Sequence, residues 1–239
     1  MEVRIASRKD IARIMNVAWK TLYEKGFQKQ LINICEFCDG VVYQRDNLLF
    51  YIYDLAKRLN SHYGVEYRLL LLTKGCIPKL LEKDMSDIYI YSISVNTETV
   101  WEEFEKLTPS PYVRLSFLKK VGKVGYETRV RIDPIIPISL IEEYVNLVAL
   151  LPEVDRVTLG FLRRSPKLKK RYYEKDWFGI CKEKSIWGYS VPKETRKRYL
   201  ERLIKDILNL GFKVGICKDE VGLEMLRERN IPNYCNCKL

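Results

Sequence analysis

Short apolar runs and longer amphipathic stretches alternate along the chain. The run at residues 67–72 is apolar apart from Arg68, which is typical of a parallel strand that is covered on both faces. The stretch before it, residues 47–61, repeats its apolar positions at helical spacing, and one helix face carries Leu48, Tyr51, Leu55, Ala56 and Leu59. The pattern therefore predicts a strand that follows a helix.

The same alternation continues to the end of the chain. It predicts strands over residues 31–34, 67–72, 88–95, 127–132, 156–162 and 213–216. It predicts helices over residues 47–61, 79–82, 97–107, 112–121, 139–150, 193–210 and 219–228. Six β–α units in series imply a parallel sheet with right-handed crossovers. We therefore expect an α/β fold, either an open doubly wound sheet or a partial barrel of the (β/α)6 type.

No repeat, low-complexity tract or linker divides the chain, so we expect a single domain. Residues 1–30 would form an N-terminal helical extension, residues 31–229 the six β–α units, and residues 230–239 a cysteine-bearing tail. Ligand sites in parallel sheets lie at the carboxyl ends of the strands. The residues at those ends are Cys35, residues 74–76, Asn96, Asp133 and Cys217.

Composition and charge narrow the classes of partner. No apolar run approaches the roughly 18 residues of a membrane span, and the first residues lack the pattern of a secretory signal, so we expect a cytoplasmic protein without membrane contact. Lys and Arg outnumber Asp and Glu by 42 to 31, a net charge of +11. The excess Lys and Arg side chains could simply be solvated. Alternatively, they attract nucleic acid or a phosphorylated ligand. Only three glutamines occur, which favours a thermophilic source.

The cysteines are the strongest chemical signal. Cys35 and Cys38 form a C-x-x-C pair at the end of an apolar run, which is typical of half a metal or iron–sulfur site. His62 is the only histidine, and its place in a helix-end stretch beside Ser61 and Gly64 favours a surface position, so we expect neither a His-dependent triad nor a His-rich metal site. The glycine-rich motifs of nucleotide-binding loops are absent. Cys76, Cys181 and Cys217 stand alone, and lone cysteines are most often core residues.

A basic segment over residues 163–189 interrupts the β–α pattern. Cations interleaved with aromatic residues suit phosphate contacts and base stacking, whereas the simpler interpretation is a solvated loop with packed aromatics. If the loop binds DNA or RNA, the contacts would come from Arg163, Arg164, Lys169, Lys170 and Arg171.

Several blocks in order resemble the radical S-adenosylmethionine (SAM) barrel proteins related to spore photoproduct lyase. These blocks are Leu72-Thr73-Lys74-Gly75, Ser92-Ile93-Ser94-Val95-Asn96, Pro109-Ser110-Pro111 with Arg114-Leu115, and Arg129-Val130-Arg131-Ile132-Asp133-Pro134-Ile135-Ile136-Pro137. The resemblance covers roughly residues 5–235 and implies a partial TIM-like barrel. It further implies a [4Fe-4S] cluster with SAM, in which three thiolates hold the iron and the cofactor chelates the open iron site.

The resemblance assigns roles to residues of this chain. Cys35 and Cys38 would be two of the three cluster cysteines, and Phe37 would lie beside the adenine. Ser94 and Asn96 would face the cofactor from the third strand, and Arg131 and Asp133 would line the cavity.

Leu31 stands where the resemblance calls for the first cluster cysteine. The tail offers a replacement, because a chain that returns across the open side of a partial barrel would bring Cys235 and Cys237 to the first strand. Together with Cys35 and Cys38 they would form a closed tetrahedral site, which favours structural zinc. A disulfide, unpaired thiols and a cluster with open iron are the alternatives, and Cys217 is the best substitute ligand.

Three hypotheses follow from the sequence. The first is a radical-SAM-like barrel protein with a cysteine-bound zinc and no standard radical chemistry. The second is an active radical SAM enzyme with an unusual cluster and a nucleic-acid-related substrate, and the third is a basic nucleic-acid-binding module. A small hyperthermophilic genome, such as that of an archaeal virus, would be a natural source for a reduced copy of this fold, with the host cytoplasm as its location.

Overall fold

Six parallel strands form a curled half-barrel sheet in which spatial order follows chain order. The computed structural model describes residues 7–35, 39–164, 180–185 and 188–238. The described strands are β1 Lys29–Asn33, β2 Glu66–Thr73, β3 Tyr89–Ser94, β4 Thr128–Ile135, β5 Arg156–Phe161, β6 Arg163–Arg164, β7 Glu183–Ser185, β8 Gly188–Ser190 and β9 Lys213–Ile216. The main sheet has the order β1-β2-β3-β4-β5-β9, and every adjacent pair is parallel. The prediction of a parallel partial barrel is confirmed.

Helices connect the strands of this sheet. The described α-helices are α1 Arg8–Glu24, α2 Leu48–Tyr63, α3 Glu98–Phe104, α4 Pro111–Lys123, α5 Ile141–Ala149, α6 Lys193–Asn209 and α7 Glu220–Glu228, and 3-10 helices span Gly40–Asn47 and Pro78–Leu81. Side-chain oxygens of Ser7, Thr97, Ser110 and Asp219 accept a backbone N–H in the first turn of their helices. These caps satisfy N–H groups that have no partner within the helix. None of the described helices has the length and apolar composition that crossing a membrane requires.

Several predicted helix boundaries differ from the structure by one to three residues, and two of these differences have a local cause. The helix that starts at Thr97 ends at Phe104 rather than at residue 107. Glu105 turns its carboxylate toward Lys74 and Arg114, and its carbonyl accepts the N–H of Thr108 in a tight turn, so the helix stops there. Ser139 does not cap α5, because its hydroxyl bonds Thr97 and Glu143 instead.

The convex face of the sheet carries the apolar core. Alternate residues of the strands, such as Tyr67, Leu69 and Leu71 of β2, point into one large cluster with the apolar faces of the helices. Helix α1 joins this layer at its edge, where Trp19 donates a 2.8 Å hydrogen bond to Asn60 and packs its ring against Tyr67. A parallel sheet covered by helices on this side is stabilised chiefly by apolar burial.

The concave face is different, because polar residues take the alternate positions. In β4, Arg129, Arg131 and Asp133 alternate with Val130 and Ile132, which are fully buried on the convex side. Successive side chains of a strand point to opposite faces, so the three charged residues line the inside of the half-barrel. An apolar exception lies on β1 to β3, where Leu31, Leu70 and Ile90 form a small separate cluster.

Candidate functional site on the concave face

The C-terminal segment lies inside the half-barrel, along strands β9 and β5. The N–H of Tyr234 donates to the carbonyl of Val214, and the side chain of Asn233 bonds the backbone of Ile216 through both its oxygen and its nitrogen. The next residues cross to β5, where the N–H of Asn236 donates to Thr158 Oγ1 at 3.0 Å. The segment therefore runs from the carboxyl end of β9 down across the concave face.

Two buried arginines hold the end of this segment. Arg129 Nη1 donates to the carbonyl oxygens of Asn236 at 2.6 Å and Lys238 at 2.8 Å, while its Nε and Nη2 bind Glu127. Arg156 Nη1 adds a 3.1 Å hydrogen bond to the Lys238 carbonyl. Charge-assisted hydrogen bonds of this kind are stronger than neutral ones, so the segment is fixed at the amino ends of β4 and β5.

Three thiols, two of them from this segment, meet beside Arg131. The Sγ atoms of Cys235 and Cys237 are 3.0 Å apart, and the thiol of Cys217, just beyond β9, lies close enough to interact electrostatically with Cys235 and Cys237. Arg131 places Nη2 3.6 Å from the Cys217 sulfur. This cluster of Cys217, Cys235 and Cys237 is called the thiol cluster below. It lies at the carboxyl end of the barrel, where ligand sites of this fold class occur.

The thiols of this cluster differ in acidity. A hydrogen bond from Cys235 lowers the pKa of Cys217 to about 7 and that of Cys237 to about 6, with burial opposing the shift and the Arg131 guanidinium assisting it. The pKa of Cys235 itself is raised by its interactions with the Cys217 and Cys237 thiols and by burial. Cys235 therefore remains a protonated donor between two thiols that ionise more easily.

An ion pair lies beside the thiol cluster. Arg131 donates to the Asp133 carboxylate, which is 9% exposed. The Asp133 side chain lies directly over Gly160 of β5, where a Cβ atom would come within 2.8 Å of the carboxyl carbon. The glycine therefore makes room for the carboxylate at this point. The predicted cavity residues Arg131 and Asp133 thus lie together on the concave face.

The structure separates Cys35 from the tail cysteines. Cys35 is buried in the convex core layer among residues of the helices and strands, whereas Cys235 and Cys237 lie on the concave face beside Cys217. Cys38 and Phe37 lie outside the described residues. Within the described ranges, no group of three or more His, Cys, Asp or Glu side chains already has the arrangement of a metal site.

Asn96 and Ser94, which were also predicted to bind the cofactor, make hydrogen bonds within the protein. Asn96 donates to the Pro134 carbonyl, while its side-chain oxygen accepts the Tyr144 hydroxyl and the N–H of Thr97. These bonds occupy the buried Asn96 side chain, which leaves it little capacity to bind a cofactor. Ser94 lies at the carboxyl end of β3, paired in register with Arg131, and its carbonyl accepts a bond from Arg114.

The predicted nucleic-acid residues fall largely outside the described part of the chain. Arg163 begins β6 and donates from Nη1 to the Lys218 carbonyl at 3.3 Å. Arg164 follows it in the same strand, which pairs with β8 in a small antiparallel sheet. Lys169, Lys170 and Arg171 lie outside the described residues.

Solved structures share the arrangement of this barrel. Spore photoproduct lyase complexed with dinucleoside spore photoproduct superposes with a TM-score of 0.66 at 19% identity, over 86% of this chain and 66% of that chain. Streptococcus suis SuiB bound to S-adenosylmethionine gives 0.52 at 14% identity, over 91% of this chain and 44% of that chain. The fold is that of the radical SAM partial barrels. SuiB has also been solved with its precursor peptide SuiA, with a TM-score of 0.55 at 14% identity, over 95% of this chain and 46% of that chain.

The similarity is one of fold. The chain spans 66% of the length of the spore photoproduct lyase chain, which is just under two thirds. No protein-family model matches the sequence, and no curated protein matches it.

Sequence reasoning missed the residues that bind the tail. Ser92, Thr158 and Arg156 are buried polar residues on the concave face. Asn236, which lies between Cys235 and Cys237, is fully buried. One signal was present, since charged residues at every second position of β4 indicate a polar interior face. Nothing in the sequence pattern indicated that the tail would fill that face.

Proposed function

We propose that this protein is a radical-SAM-like barrel without standard radical chemistry, and that its thiol cluster binds a thiophilic metal ion, zinc by preference. The observation that carries the proposal is the 3.0 Å approach of the Cys235 and Cys237 sulfur atoms, with the Cys217 thiol beside them. Thiolate sulfur is the ligand type that selects zinc and other soft metals. The sequence expectation of a cysteine-bound metal is kept, with Cys217 in place of Cys35 and Cys38.

Small movements would convert the cluster into a metal site. Two thiolates on one tetrahedral zinc, each with a Zn–S distance near 2.3 Å, are about 3.8 Å apart. Cys235 and Cys237 would therefore separate by a little less than about 1 Å and lose their protons. Three thiolates leave a fourth position, and the carboxylate of Asp133 interacts electrostatically with Cys217 from nearby.

The standard cluster of the fold family does not fit the described residues. A [4Fe-4S] cluster would supply the electron that cleaves bound SAM, and it needs three thiolates from the loop after the first strand. Leu31 lies inside β1 and packs against Leu70 and Ile90, so this position offers an apolar side chain instead of a ligand. We therefore assign no reaction step to such a cluster.

Metal content tests the proposal directly. We expect anaerobically purified protein to contain about one zinc per chain by mass spectrometry, and Cys235→Ser, Cys237→Ser and Cys217→Ser each to lose most of it. Cys76→Ser is the matched control, because Cys76 is a half-buried thiol outside the cluster and should leave the zinc unchanged. Zinc-free wild-type protein after reconstitution, or equal zinc in all variants, would contradict the proposal.

An active radical SAM enzyme with a non-standard cluster is the second candidate. The observation in its favour is the fold, since a spore photoproduct lyase mutant has been solved with AdoMet and SuiB with S-adenosylmethionine. Iron–sulfur absorbance after reconstitution, together with 5′-deoxyadenosine formed from SAM under strong reductant, would establish this candidate and remove the first. A Cys35→Ser variant should then lose both signals.

Nucleic-acid binding is a separate candidate for the basic segment. The net charge of +11 favours it, and the spore photoproduct lyase neighbour holds a dinucleoside ligand. If Lys169, Lys170 and Arg171 contact phosphates, binding of single-stranded DNA should weaken steeply with salt, and a triple alanine variant should show a shallower slope. Binding that is absent at low salt would remove this candidate.

A further inference from the structure

The concave face holds buried polar groups whose hydrogen bonds are completed by the tail. Ser92, Thr158 and Arg129 are fully buried, and each bonds a group of Asn236 or of Lys238, two residues further on. A buried hydroxyl or guanidinium that lacks a partner is costly, so a barrel interior with these groups needs a polar occupant. Together with Arg156 and Gly215, these residues are called the tail-binding face.

Gly215 shows that the face is shaped for a peptide backbone. A Cβ atom on this residue would lie 2.5 Å from the N of Cys235 and closer still to the carbonyl oxygen of Tyr234. Real Cβ atoms do not approach backbone atoms so closely, so a side chain at this position would displace the tail. The strand and the tail therefore meet backbone to backbone.

We propose that the tail-binding face is a binding site for a short peptide that turns at a central asparagine, and that residues 234–238 of the same chain occupy it as a tethered ligand. In this segment the N–H of Lys238 donates to the Cys235 carbonyl at 3.0 Å and closes the turn. This inference goes beyond the proposed metal function and does not depend on it. All of the contacts that carry it are made by backbone groups and by Asn236.

Some contacts of the tail-binding face depend on the amino-acid sequence of the bound peptide, and others do not. Arg129 and Arg156 bind carbonyl oxygens, which any peptide supplies. Specificity comes from the Asn236 side chain, whose Nδ2 donates a 2.6 Å hydrogen bond to Ser92 Oγ. The Asn236 Oδ1 atom is buried without a hydrogen-bond donor, so the tail-binding face reads the amide nitrogen of the asparagine and not its oxygen.

A full-length variant with an expelled tail tests the proposal. Asn236→Trp places a large ring where the structure has a completely buried asparagine, while every residue of the tail-binding face stays intact. The probe is an acetylated and amidated peptide, Tyr-Cys-Asn-Cys-Lys, with a fluorescent label, used with reductant and chelator. We expect saturable binding to Asn236→Trp and binding at least about 10-fold weaker to the wild type, whose own tail competes at high effective concentration.

The central asparagine provides the matched control. A peptide with alanine in its place should bind Asn236→Trp about 2- to 10-fold more weakly, because one buried hydrogen bond to Ser92 is lost. A variant with wild-type circular dichroism that shows no saturable binding, or that binds both peptides equally, would overturn the proposal. A concentration-dependent wild-type dimer that Asn236→Trp abolishes would overturn occupancy within one chain and assign the tail to a second copy.

A second variant decides the matter if Asn236→Trp fails to fold. Gly215→Ala should displace the tail and accelerate its removal by a carboxypeptidase, whereas Gly122→Ala should not, because a Cβ there meets only Thr128 at 3.6 Å. Equal digestion of the wild type and Gly215→Ala would overturn the proposal. Faster digestion of Gly215→Ala alone would support it.

Discussion

Arg129 donates a 2.6 Å hydrogen bond to the carbonyl oxygen of Asn236, a residue 107 positions further along the chain. The same guanidinium binds Glu127, two residues before it. One fully buried side chain therefore links the middle of the sheet to the end of the chain. This link holds the tail inside the half-barrel, so a substitution at Arg129 tests whether the tail is bound there.

Replacing Arg129 should destabilise the protein strongly. Arg129→Gln removes two charge-assisted hydrogen bonds to the tail and breaks the ion pair with Glu127. Breaking a buried charge pair costs about 3 kcal/mol or more. The free energy of unfolding, measured by urea denaturation, should fall by this amount. The control is Lys29→Ala, which breaks an exposed pair with Glu66 and should cost less than about 1 kcal/mol. Similar losses in both variants would contradict the role of Arg129.

Stability should depend on the ionisation of Glu127. Burial alone would raise the pKa of this carboxyl, but Arg129, Arg68 and Arg156 lower it further than burial raises it. A carboxyl with a lowered folded-state pKa contributes stability above its unfolded pKa, near about 4.3, and loses that contribution as the pH falls through the folded pKa. The difference in unfolding free energy between wild type and Glu127→Gln should therefore shrink between pH 6 and pH 3. A difference that is constant over this range would be inconsistent with the assignment.

Leu31 should behave as a core residue. Its side chain is 6% exposed and packs with Leu70 and Ile90, so Leu31→Ala should lower the free energy of unfolding by about 2–5 kcal/mol. Leu107→Ala is the matched control, because Leu107 is fully exposed and should change stability by less than about 0.5 kcal/mol. Thermal or urea denaturation measures both. A neutral Leu31→Ala would show that the position is free for another role.

Metal removal should lower the melting temperature if the thiol cluster binds zinc. Binding energy at a thiolate site adds to folding energy, so a chelator should destabilise the wild type. The Cys235→Ser/Cys237→Ser double variant should melt at a lower temperature and show no further change with chelator. Differential scanning calorimetry of both proteins, with Cys181→Ser as a buried-thiol control, gives the comparison. An unchanged wild-type melting temperature would remove the structural role of the metal.

The alternation of strands and helices could be predicted from the sequence, because each element follows a rule that involves only residues close together in the chain. The run of four leucines in β2 and the caps at Thr97 and Asp219 each follow such a rule within a few residues. The same reasoning predicted the parallel order and placed Cys217, Asn96 and Asp133 at strand ends.

The tertiary structure alone decided where the tail lies and which cysteines meet. Cys35 was expected beside Cys235, but Cys35 packs on the convex side and Cys217 is the residue that meets the tail. These contacts join residues far apart in sequence, through backbone groups and buried arginines that leave no periodic pattern. The sequence by itself determined the strands, the helices and their parallel order, because local periodicity encodes them. The occupant of the concave face depends on which distant groups can satisfy buried charge and hydrogen bonds, and only the folded chain determines that.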